Sequence, residues 1–319
     1  MIGSNFYSPV SLCGGRVIVS FNYNNYSNMK KSIVYVAAMA AMFLTACCGQ
    51  NKCNCDCEAC QNCVEKQDPN APKDSATIVD NEQYDLSKLK VDAEGYYVLY
   101  DGTSLDGWRG YGQEAVPTSW ESVDGCIHLV GSGTGEAQVE GGGDLLFAHK
   151  FKNFTFECEY KISKGGNSGI FYLAQEAKGK DGNYLPIWQS CSEYQVLDNA
   201  NHEDANQGKD GNRQAASLYD MIPAVPQNAK PYGEWNTVKI RVFKGSVWHY
   251  QNGEEVLEYH LWTPKWKEML DGSKFCKGGD FPAAYDMMIV QGQKDGGYIA
   301  FQDHGDDVWY RNVRIKVDE

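Results

Sequence analysis

Strict alternation of apolar and polar side chains over nine residues constrains the fold of this chain more than any other feature. In the segment 154–162, five apolar side chains occupy the even positions, and Thr155, Glu157, Glu159 and Lys161 lie between them. Successive side chains of a β-strand point to opposite faces of its sheet. The segment is therefore predicted to be a half-buried antiparallel strand with one face against a core.

Similar segments recur in the second half of the chain. Their expected inward residues are Val238, Ile240 and Val242 in one segment and Val313, Ile315 and Val317 in another. The pair Asn252-Gly253 separates two more such runs and is a strong hairpin signal, because both central residues of a tight turn need positive φ. Helical amphipathic character is confined to 264–270. We expect an all-β fold in which two antiparallel sheets pack as a β-sandwich.

The start of the chain carries the pattern of an export signal. Two lysines at 30–31 precede an apolar run at 33–44, which is too short to cross a bilayer as an anchor. The sequence Leu-Thr-Ala-Cys that ends at Cys47 resembles a bacterial lipoprotein signal. This resemblance implies cleavage before Cys47 and a lipid anchor on that cysteine. We expect a bacterial cell-envelope protein, periplasmic or at the cell surface, that touches the membrane through this anchor only.

A cysteine-rich, polar segment follows the expected cleavage point. Six cysteines lie between positions 48 and 63, a density that could bind a soft metal, although zinc sites usually separate two CxxC pairs by a folded loop. In an oxidising compartment, a spacer with disulfides or mixed thiols is favoured. The predicted segments are upstream sequence at 1–28, the signal peptide at 29–46, a tether at 47–94 and the folded body at 95–319.

Charge and motifs exclude several classes of function. The chain has 42 acidic and 29 basic side chains and a net charge of −13, whereas nucleic-acid binding needs a surplus of Lys and Arg on one face. The sequence contains no P-loop, no strand-associated GxGxxG, no GxSxG and no HExxH pattern. Nucleotides, nucleic acid and the common hydrolase chemistries are therefore not expected.

Five separated motifs carry a resemblance to one family. They are Leu-Tyr-Asp-Gly-Thr-Ser-Leu-Asp-Gly-Trp at 99–108, Gly-Gly-Asn-Ser-Gly-Ile-Phe-Tyr at 165–172, Glu-Tyr-Gln-Val-Leu-Asp-Asn at 193–199, Gly-Glu-Trp-Asn-Thr at 233–237 and Gln-Asp-His-Gly-Asp-Asp-Val-Trp-Tyr-Arg-Asn at 302–312. In this order they resemble the 3-keto-disaccharide hydrolase family. The resemblance covers nearly the whole body. It implies a concanavalin A-like jelly roll and a carbohydrate substrate whose ring carries a ketone at C3.

The segment around Glu193 is the first candidate for chemistry. On a strand, Glu193 and Gln195 share one face, and Asp198 falls on the other unless a bulge re-aims it. The spacing is similar to the ExDxxE strand of sandwich-fold glucanases, but Gln replaces the central Asp and Asp replaces the last Glu. These departures disfavour hydrolysis by two carboxylates, which needs a fixed separation of the carboxyl groups. Asp198-Asn199 is equally compatible with a strand-end turn.

The segment around His304 is the second candidate. His304 lies between acidic residues, and a carboxylate-oriented imidazole can transfer a proton or bind a metal. Arg311 and Trp309 lie on the inward parity of the last strand, which suits either core packing or contact with a sugar. Trp248 offers a stacking surface, while Trp235 is expected in the core.

The resemblance and these patterns together give one set of expected site residues. The expected catalytic residues are Glu193, His304 and Asp198, and the expected substrate-binding residues are Asn167, Ser168, Tyr172, Gln195, Asn199, Trp248, Gln302 and Arg311. The proton at C2 beside a ketone is acidic, so the glycosidic oxygen can leave by β-elimination before water adds. In that scheme Glu193 or His304 is the base, His304 or Arg311 stabilises the enolate, and Asp198 orients the substrate or protonates the leaving group.

Other functions stay open at this point. A divalent metal is compatible with the site, and no other cofactor is expected. A separate oxidoreductase acting at C3 is implied, because the chain has no nicotinamide-binding motif. A non-catalytic lectin-like lipoprotein and a conventional endo-glycosidase are the alternatives, since a fold alone does not decide chemistry.

Overall fold

The computed structural model describes residues 12–13, 16–17, 76–133 and 138–318. The chain forms two units, 1–73 and 74–319. In the first unit, strands β1 (Leu12–Cys13) and β2 (Arg16–Val17) pair antiparallel. The rest of the predicted upstream segment, the predicted signal peptide, Cys47 and the cysteine-rich segment lie outside the described residues.

Strands are the main regular elements of the second unit. In chain order they are β3 (Thr77–Ile78), β4 (Tyr97–Val98), β5 (Trp108–Gly110), β6 (Trp120–Val123), β7 (Cys126–Leu129), β8 (Leu145–Phe147), β9 (Phe154–Ile162), β10 (Asn167–Ala174), β11 (Ala177–Lys178), β12 (Ser192–Leu197), β13 (Asn236–Phe243), β14 (Ser246–Gln251), β15 (Glu254–His260), β16 (Tyr298–Phe301) and β17 (Val308–Val317). The helices are α1 (Pro264–Asp271) and α2 (Pro282–Met288), with 3₁₀ turns at Leu86–Lys88, Ile187–Gln189 and Glu203–Asn206.

Two antiparallel sheets form the sandwich, which confirms the predicted fold class. A five-stranded sheet has the order β12-β10-β16-β8-β5. An eight-stranded sheet has the order β15-β14-β13-β9-β17-β7-β6, with β4 added beside β17. The ring of Phe301 in the first sheet stacks on that of Tyr310 in the second, with the ring centroids 3.8 Å apart. The core therefore lies between the two sheets.

The predicted alternation is confirmed in the central strands. All five even-numbered residues of β9 are buried and the four between them are partly exposed. Strand β13 buries Val238, Ile240 and Val242 as expected. The hairpin between β14 and β15 turns at Asn252 (φ 51°) and Gly253 (φ 83°). Helix α1 is also confirmed, while α2, only seven residues long, has no sequence signal strong enough to predict it.

A bulge in β17 corrects the predicted orientation of the last strand. The pairing of β17 with β9 shifts between Arg311 and Arg314, and Asn312 adopts a positive φ of 52°. The extra residue reverses the alternation. Val313 and Ile315 are therefore buried as predicted, but Trp309 and Arg311 point out of the sandwich and not into it. Val317 is 45% exposed, so its predicted inward position is wrong.

Residues 76–94, predicted as the end of the tether, pack against the sandwich. Strand β3 pairs with β11, and the ring of Tyr84 lies edge-on to Phe147. The Asp92 carboxylate accepts a hydrogen bond from Arg314 at 2.8 Å. Isolated contacts of this kind leave no periodic pattern in the sequence, so they could not be predicted from it. None of the helices in the described part of the chain is long and apolar enough to cross a bilayer.

Candidate active site

A cleft of about 590 Å³ opens on the face of the five-stranded sheet that points away from the eight-stranded sheet. The 3₁₀ turn at Ile187–Gln189 covers part of this face, where Leu146, Phe171 and Ala300 form a small second core with Ile187. The cleft is lined by Tyr111, Gln113, Gln138, Gly143, Asp144, Asn167, Tyr184, Leu185, Pro186, Ile187, Trp188, Glu193, Gln195, Tyr219, Lys274, Gln302, Asp303 and His304.

Neighbouring strands bring the floor of the cleft together. Gly169 of β10 is the register partner of Gln195 in β12. On the other side of β10, the Gln302 N–H donates to the Gly169 carbonyl at 2.9 Å. Asp144 immediately precedes the next strand, β8, and its carboxylate accepts the Asp303 N–H at 3.0 Å. Residues separated by more than 150 positions therefore meet in one row.

Glu193 lies in this cleft with its side chain folded over β10. It is only 8% exposed. A Cβ placed on Gly169 would lie 2.3 Å from Glu193 Oε1, so the absence of a side chain at Gly169 makes room for the carboxyl group. No hydrogen bond to this carboxyl comes from any residue in 76–133 or 138–318. Burial raises the pKa of Glu193 to about 8; the charge of Lys274 acts against the shift, and the carboxylates of Asp204 and Asp144 add to it.

Asp144 is a second carboxyl group with a raised pKa. Burial, with a smaller contribution from the charge of Asp303, raises the pKa of Asp144 to about 7. The hydrogen bonds from the Asp303 N–H and from Gln138 Nε2 (3.2 Å) act in the opposite direction. Asp144 and Glu193 both change protonation close to neutral pH, a property common among catalytic acids and bases.

Asp303 has a different role, because its carboxylate fixes the loop next to it. It accepts backbone hydrogen bonds from Val139 (3.2 Å), Gly143 (3.0 Å) and Gly305 (3.1 Å). These bonds join the segment before β8 to the loop after β16. His304, the neighbour of Asp303, is thereby held at the cleft, where it is one of the lining residues.

Two buried amide oxygens in the cleft have no hydrogen-bond partner among the described residues. Asn167 Oδ1 and Gln302 Oε1 are buried, and no hydrogen-bond donor for either one lies in the described ranges. Leaving a buried acceptor without a donor costs about 1–3 kcal/mol. A substrate hydroxyl would supply the missing donor. Both residues are therefore suited to bind a sugar.

Aromatic rings form the wall of the cleft. Tyr111 and Tyr184 meet edge to face with ring centroids 5.8 Å apart. Trp188 packs edge-on against Phe281, which precedes α2, with centroids 4.7 Å apart. Trp188 and Tyr184 are only partly buried. Partly exposed rings of this kind can stack on the apolar face of a pyranose.

The structure brings five of the eleven predicted site residues to the cleft and places six elsewhere. Glu193, Gln195, His304, Asn167 and Gln302 line the cleft. Ser168 and Tyr172 point into the core, where Ser168 Oγ donates to the Gln302 carbonyl at 2.8 Å and Tyr172 contacts His249 Nε2 at 2.8 Å. Ser168 thus supports Gln302 from beneath the sheet.

Asp198 and Asn199 lie in the turn after β12. Asp198 accepts hydrogen bonds from the Gly165 N–H at 2.8 Å and from Asn201 Nδ2 at 2.7 Å. Asn199 Oδ1 accepts the Ala215 N–H at 2.8 Å. These contacts stabilise the loop that begins β10 and the loop that follows β12.

Trp248 and Arg311 lie on the outer face of the eight-stranded sheet, far from the cleft in the sandwich. Trp248 contacts the Arg241 guanidinium, 5.3 Å from its ring centroid. Arg311 donates to Glu159 Oε2 at 2.6 Å and lies 3.9 Å from the ring centroid of Trp235. Trp235 is therefore on this outer face, and its predicted core position is wrong. Trp248 and Arg311 therefore contact other side chains of the outer face.

Several cleft residues carry no signal in the sequence. Asp144 follows three glycines, and Lys274 lies in an irregular loop after α1. Tyr184 and Trp188 belong to a segment without periodicity. The runs Gly141-Gly-Gly143 and Tyr184-Leu-Pro-Ile-Trp188 suggest loops but give no direction for the side chains. No cluster of three or more His, Cys, Asp or Glu side chains suited to a metal is present within the described ranges.

An all-β sandwich with a polar cleft, titrating carboxyls and a wall of aromatic rings defines a carbohydrate-active protein. A family model for the 3-keto-alpha-glucoside-1,2-lyase-like domain matches residues 95–316. The chain is also 54% identical over 296 residues to a 3-keto-disaccharide hydrolase of Bacteroides thetaiotaomicron, covering 91% of this chain and 99% of the relative. It therefore belongs to the 3-keto-alpha-glucoside-1,2-lyase-like family, and it is a glycoside-cleaving enzyme.

A solved structure supports the same assignment at the level of the fold. The crystal structure of a candidate glycosyl hydrolase from Parabacteroides distasonis aligns with a TM-score of 0.57 at 26% identity, covering 71% of this chain and 95% of the other. The family model and the Bacteroides relative confirm the predicted family resemblance.

Proposed function

We propose that this enzyme cleaves the glycosidic bond of 3-keto-glycosides by elimination followed by hydration. A base removes the proton at C2, and the electron pair of that bond forms the enolate of the C3 ketone. The enolate then collapses to a C1–C2 double bond as the C1–O bond breaks, and the leaving oxygen takes a proton. Water next adds its oxygen to C1 and a proton returns to C2, so the net reaction is hydrolysis.

The observation that carries this proposal is the Glu193 carboxyl group, buried in the cleft with a pKa of about 8. A carboxylate with an ordinary pKa is a weak base toward a carbon acid, and a raised pKa improves the match. The conventional alternative needs one carboxylate that stays ionised beside the reacting ring. Burial disfavours the ionised form of both Glu193 and Asp144, which supports the elimination route. Glu193 is the proposed base and the group that returns the proton to C2.

The remaining polar groups of the cleft have proposed roles that follow from their positions. Asp144, with a pKa of about 7, is partly protonated at neutral pH and is the proposed donor to the leaving oxygen. Asn167 and Gln302 accept hydrogen bonds from ring hydroxyls through their unpartnered oxygens. His304 orients the reacting ring, and Trp188 stacks on the leaving sugar. The ketone itself must come from a separate oxidoreductase that acts at C3.

The test is to incubate the purified enzyme with a 3-keto-glucoside and with the unoxidised parent glucoside, and to follow both by NMR with and without a chelator. We expect cleavage of the keto-sugar alone, together with exchange of its C2 proton for solvent deuterium, because only the ketone acidifies C2. Cleavage of the parent at a similar rate would contradict the elimination mechanism and favour a conventional glycosidase. Binding of both sugars without turnover would contradict catalysis by this cleft.

We also propose that the enzyme is lipid-anchored in the bacterial cell envelope through Cys47. The support is the sequence pattern that ends at this cysteine. Replacing Cys47 by Ala should move the protein from the membrane fraction to the soluble fraction of cells that produce it, measured by fractionation and immunoblotting. Replacement of the neighbouring Cys48 is the matched control. An unchanged membrane fraction for Cys47→Ala would contradict the anchor.

A further inference from the structure

Lys274 is the one cation that lines the cleft among the described residues, and aromatic rings enclose its side chain. Its Nζ lies 4.4 Å from the ring centroid of Tyr219, 4.9 Å from that of Trp188 and 5.2 Å from that of Phe275. Cation–π contacts at these distances hold an ammonium group without neutralising it. Trp188 and Tyr219 are themselves lining residues, so the ammonium is held at the cleft surface.

No described carboxylate forms an ion pair with this ammonium group. Within residues 76–133 and 138–318, no Asp or Glu oxygen lies within the 4.0 Å of Lys274 Nζ that an ion pair requires. An ammonium group removed from water costs several kcal/mol unless a nearby negative charge compensates it. Desolvation accordingly lowers the pKa of Lys274, while the charges of Glu193, Asp220 and Asp204 act against that shift. The site therefore favours the formation or binding of a negatively charged group beside Lys274.

Arg213 fixes the position of the enclosure around Lys274. Its Nε donates to Asp220 Oδ1 at 2.7 Å, and its Nη1 donates to Asp204 Oδ1 at 2.9 Å. The other oxygen of Asp220 accepts the Lys274 backbone N–H at 2.8 Å. The other oxygen of Asp204 accepts the Tyr219 hydroxyl at 3.0 Å. One guanidinium thereby holds both the backbone of Lys274 and the ring beside its ammonium group.

We propose that Lys274 is a catalytic residue that stabilises the enolate oxygen at C3 of a keto-sugar bound in the cleft. This inference rests on the proposed function and assigns a group that neither motif nor family match singles out. The charge on this oxygen is absent from the bound ketone and appears as the C2 proton leaves. A pre-positioned ammonium binds that charge more strongly in the transition state than in the ground state, which is the condition for catalysis.

The sequence-based hypothesis gave the enolate to His304 or Arg311, and this assignment replaces both with Lys274. Arg311 lies on the other sheet and is paired with Glu159. Lys274 has the same charge, lies in the cleft with Glu193 and is not engaged in an ion pair with a described residue. Hydrogen bonds to Asp220 and Asp204 fix the Lys274 backbone and the Tyr219 ring, so little reorganisation is needed when the enolate forms.

The test compares Lys274→Met, Lys274→Arg and the exposed control Lys277→Met, using a methyl 3-keto-glucoside as probe. The measured quantities are the C2 proton exchange rate in deuterated water and kcat for cleavage. We expect Lys274→Met to lose about 100-fold in both, the size of effect known for the loss of one oxyanion donor. Lys274→Arg should recover at least tenfold, and Lys277→Met should match the wild type. Circular dichroism and melting temperature establish that each variant is folded.

The pH profile separates catalysis from a structural role. The charges that act on the pKa of Glu193 are those of Lys274, Asp204 and Asp144, and Glu193 in turn raises the pKa of the neighbouring Tyr219. Removing the Lys274 charge should shift the acidic limb of kcat/KM to higher pH, and Lys274→Arg should shift it back. A loss under tenfold in Lys274→Met overturns the inference. An equal loss in Lys274→Arg with an unshifted profile overturns it as well. Wild-type enzyme that leaves the keto-sugar unchanged overturns the proposed function, and this inference falls with it.

Discussion

Replacing Glu193 by Gln should lower kcat for a 3-keto-glycoside by about 1000-fold, within the range known for the loss of a general base. Gln preserves the shape of the side chain over Gly169 but cannot accept the C2 proton. In the wild type, the rate of C2 proton exchange should rise with pH through the pKa of Glu193 near 8, because the ionised form is the base and this step does not need the Asp144 proton. The measurement is the C2 exchange rate and the cleavage rate as a function of pH.

Substrates with different leaving groups distinguish the role of the base, Glu193, from that of the acid, Asp144. Glu193→Gln should be slow whatever the leaving group, because proton removal precedes departure of the glycosidic oxygen. Asp144→Asn should slow a disaccharide but leave a nitrophenyl 3-keto-glucoside nearly unaffected, since nitrophenolate leaves without a proton. Glu258→Gln, on an exposed position of β15, should behave as the wild type. If Glu193→Gln retains near-normal turnover, Glu193 is not the base.

The same variant carries a stability signature that does not depend on activity. Between about pH 4.5 and 8, the folded protein keeps a proton on Glu193 that the unfolded chain has released, because the folded pKa is raised from 4.5 to about 8. The free energy of unfolding therefore falls as the pH rises through this window. Glu193→Gln has no proton to lose. Its melting temperature should exceed that of the wild type at pH 8 and match it at pH 4.

The alternation of side chains made most of the sandwich predictable. Strands β9 and β13 and the hairpin at Asn252-Gly253 depend on local sequence alone, and all three are found where the pattern predicts them. The predicted orientation of the last strand is wrong before Asn312. This one residue with positive φ forms a bulge, which reverses the faces on which the preceding side chains lie. The bulge depends on how β17 pairs with β9, and the sequence of β17 alone does not give this pairing.

The candidate site was predictable where a motif and a strand coincide. Glu193 and Gln195 lie on one face of β12 and reach the cleft together. Asp144 and Lys274 join them only because distant strands and loops are brought together by the sheet order, so local sequence gives no signal for either. Asp198 shows the opposite case: its spacing resembles a catalytic motif, while its oxygens accept hydrogen bonds within a turn.

Replacing Gly169 by Ala should lower kcat for a 3-keto-glycoside by about 100-fold, with little effect on folding. The new Cβ would lie 2.3 Å from Glu193 Oε1 and 2.9 Å from Cδ, both closer than a real Cβ approaches other atoms, and 3.0 Å from Cγ. Both neighbours of β10 are hydrogen-bonded to it, so the strand cannot retreat, whereas the end of the Glu193 side chain can.

Displacement of the base by about 1 Å can cost on the order of 100-fold in rate, because proton transfer needs close approach. The Gly169 backbone lies outside the positive-φ region, so alanine fits its conformation, and the melting temperature should change little. The matched control is Gly272→Ala, where the nearest atom to a new Cβ is 3.5 Å away and activity should be unchanged. Full activity in Gly169→Ala would mean that catalysis does not depend on the carboxyl position over β10. A folded, inactive Gly169→Ala beside an active Gly272→Ala would tie the rate to that position, because the two variants differ in what their methyl groups displace.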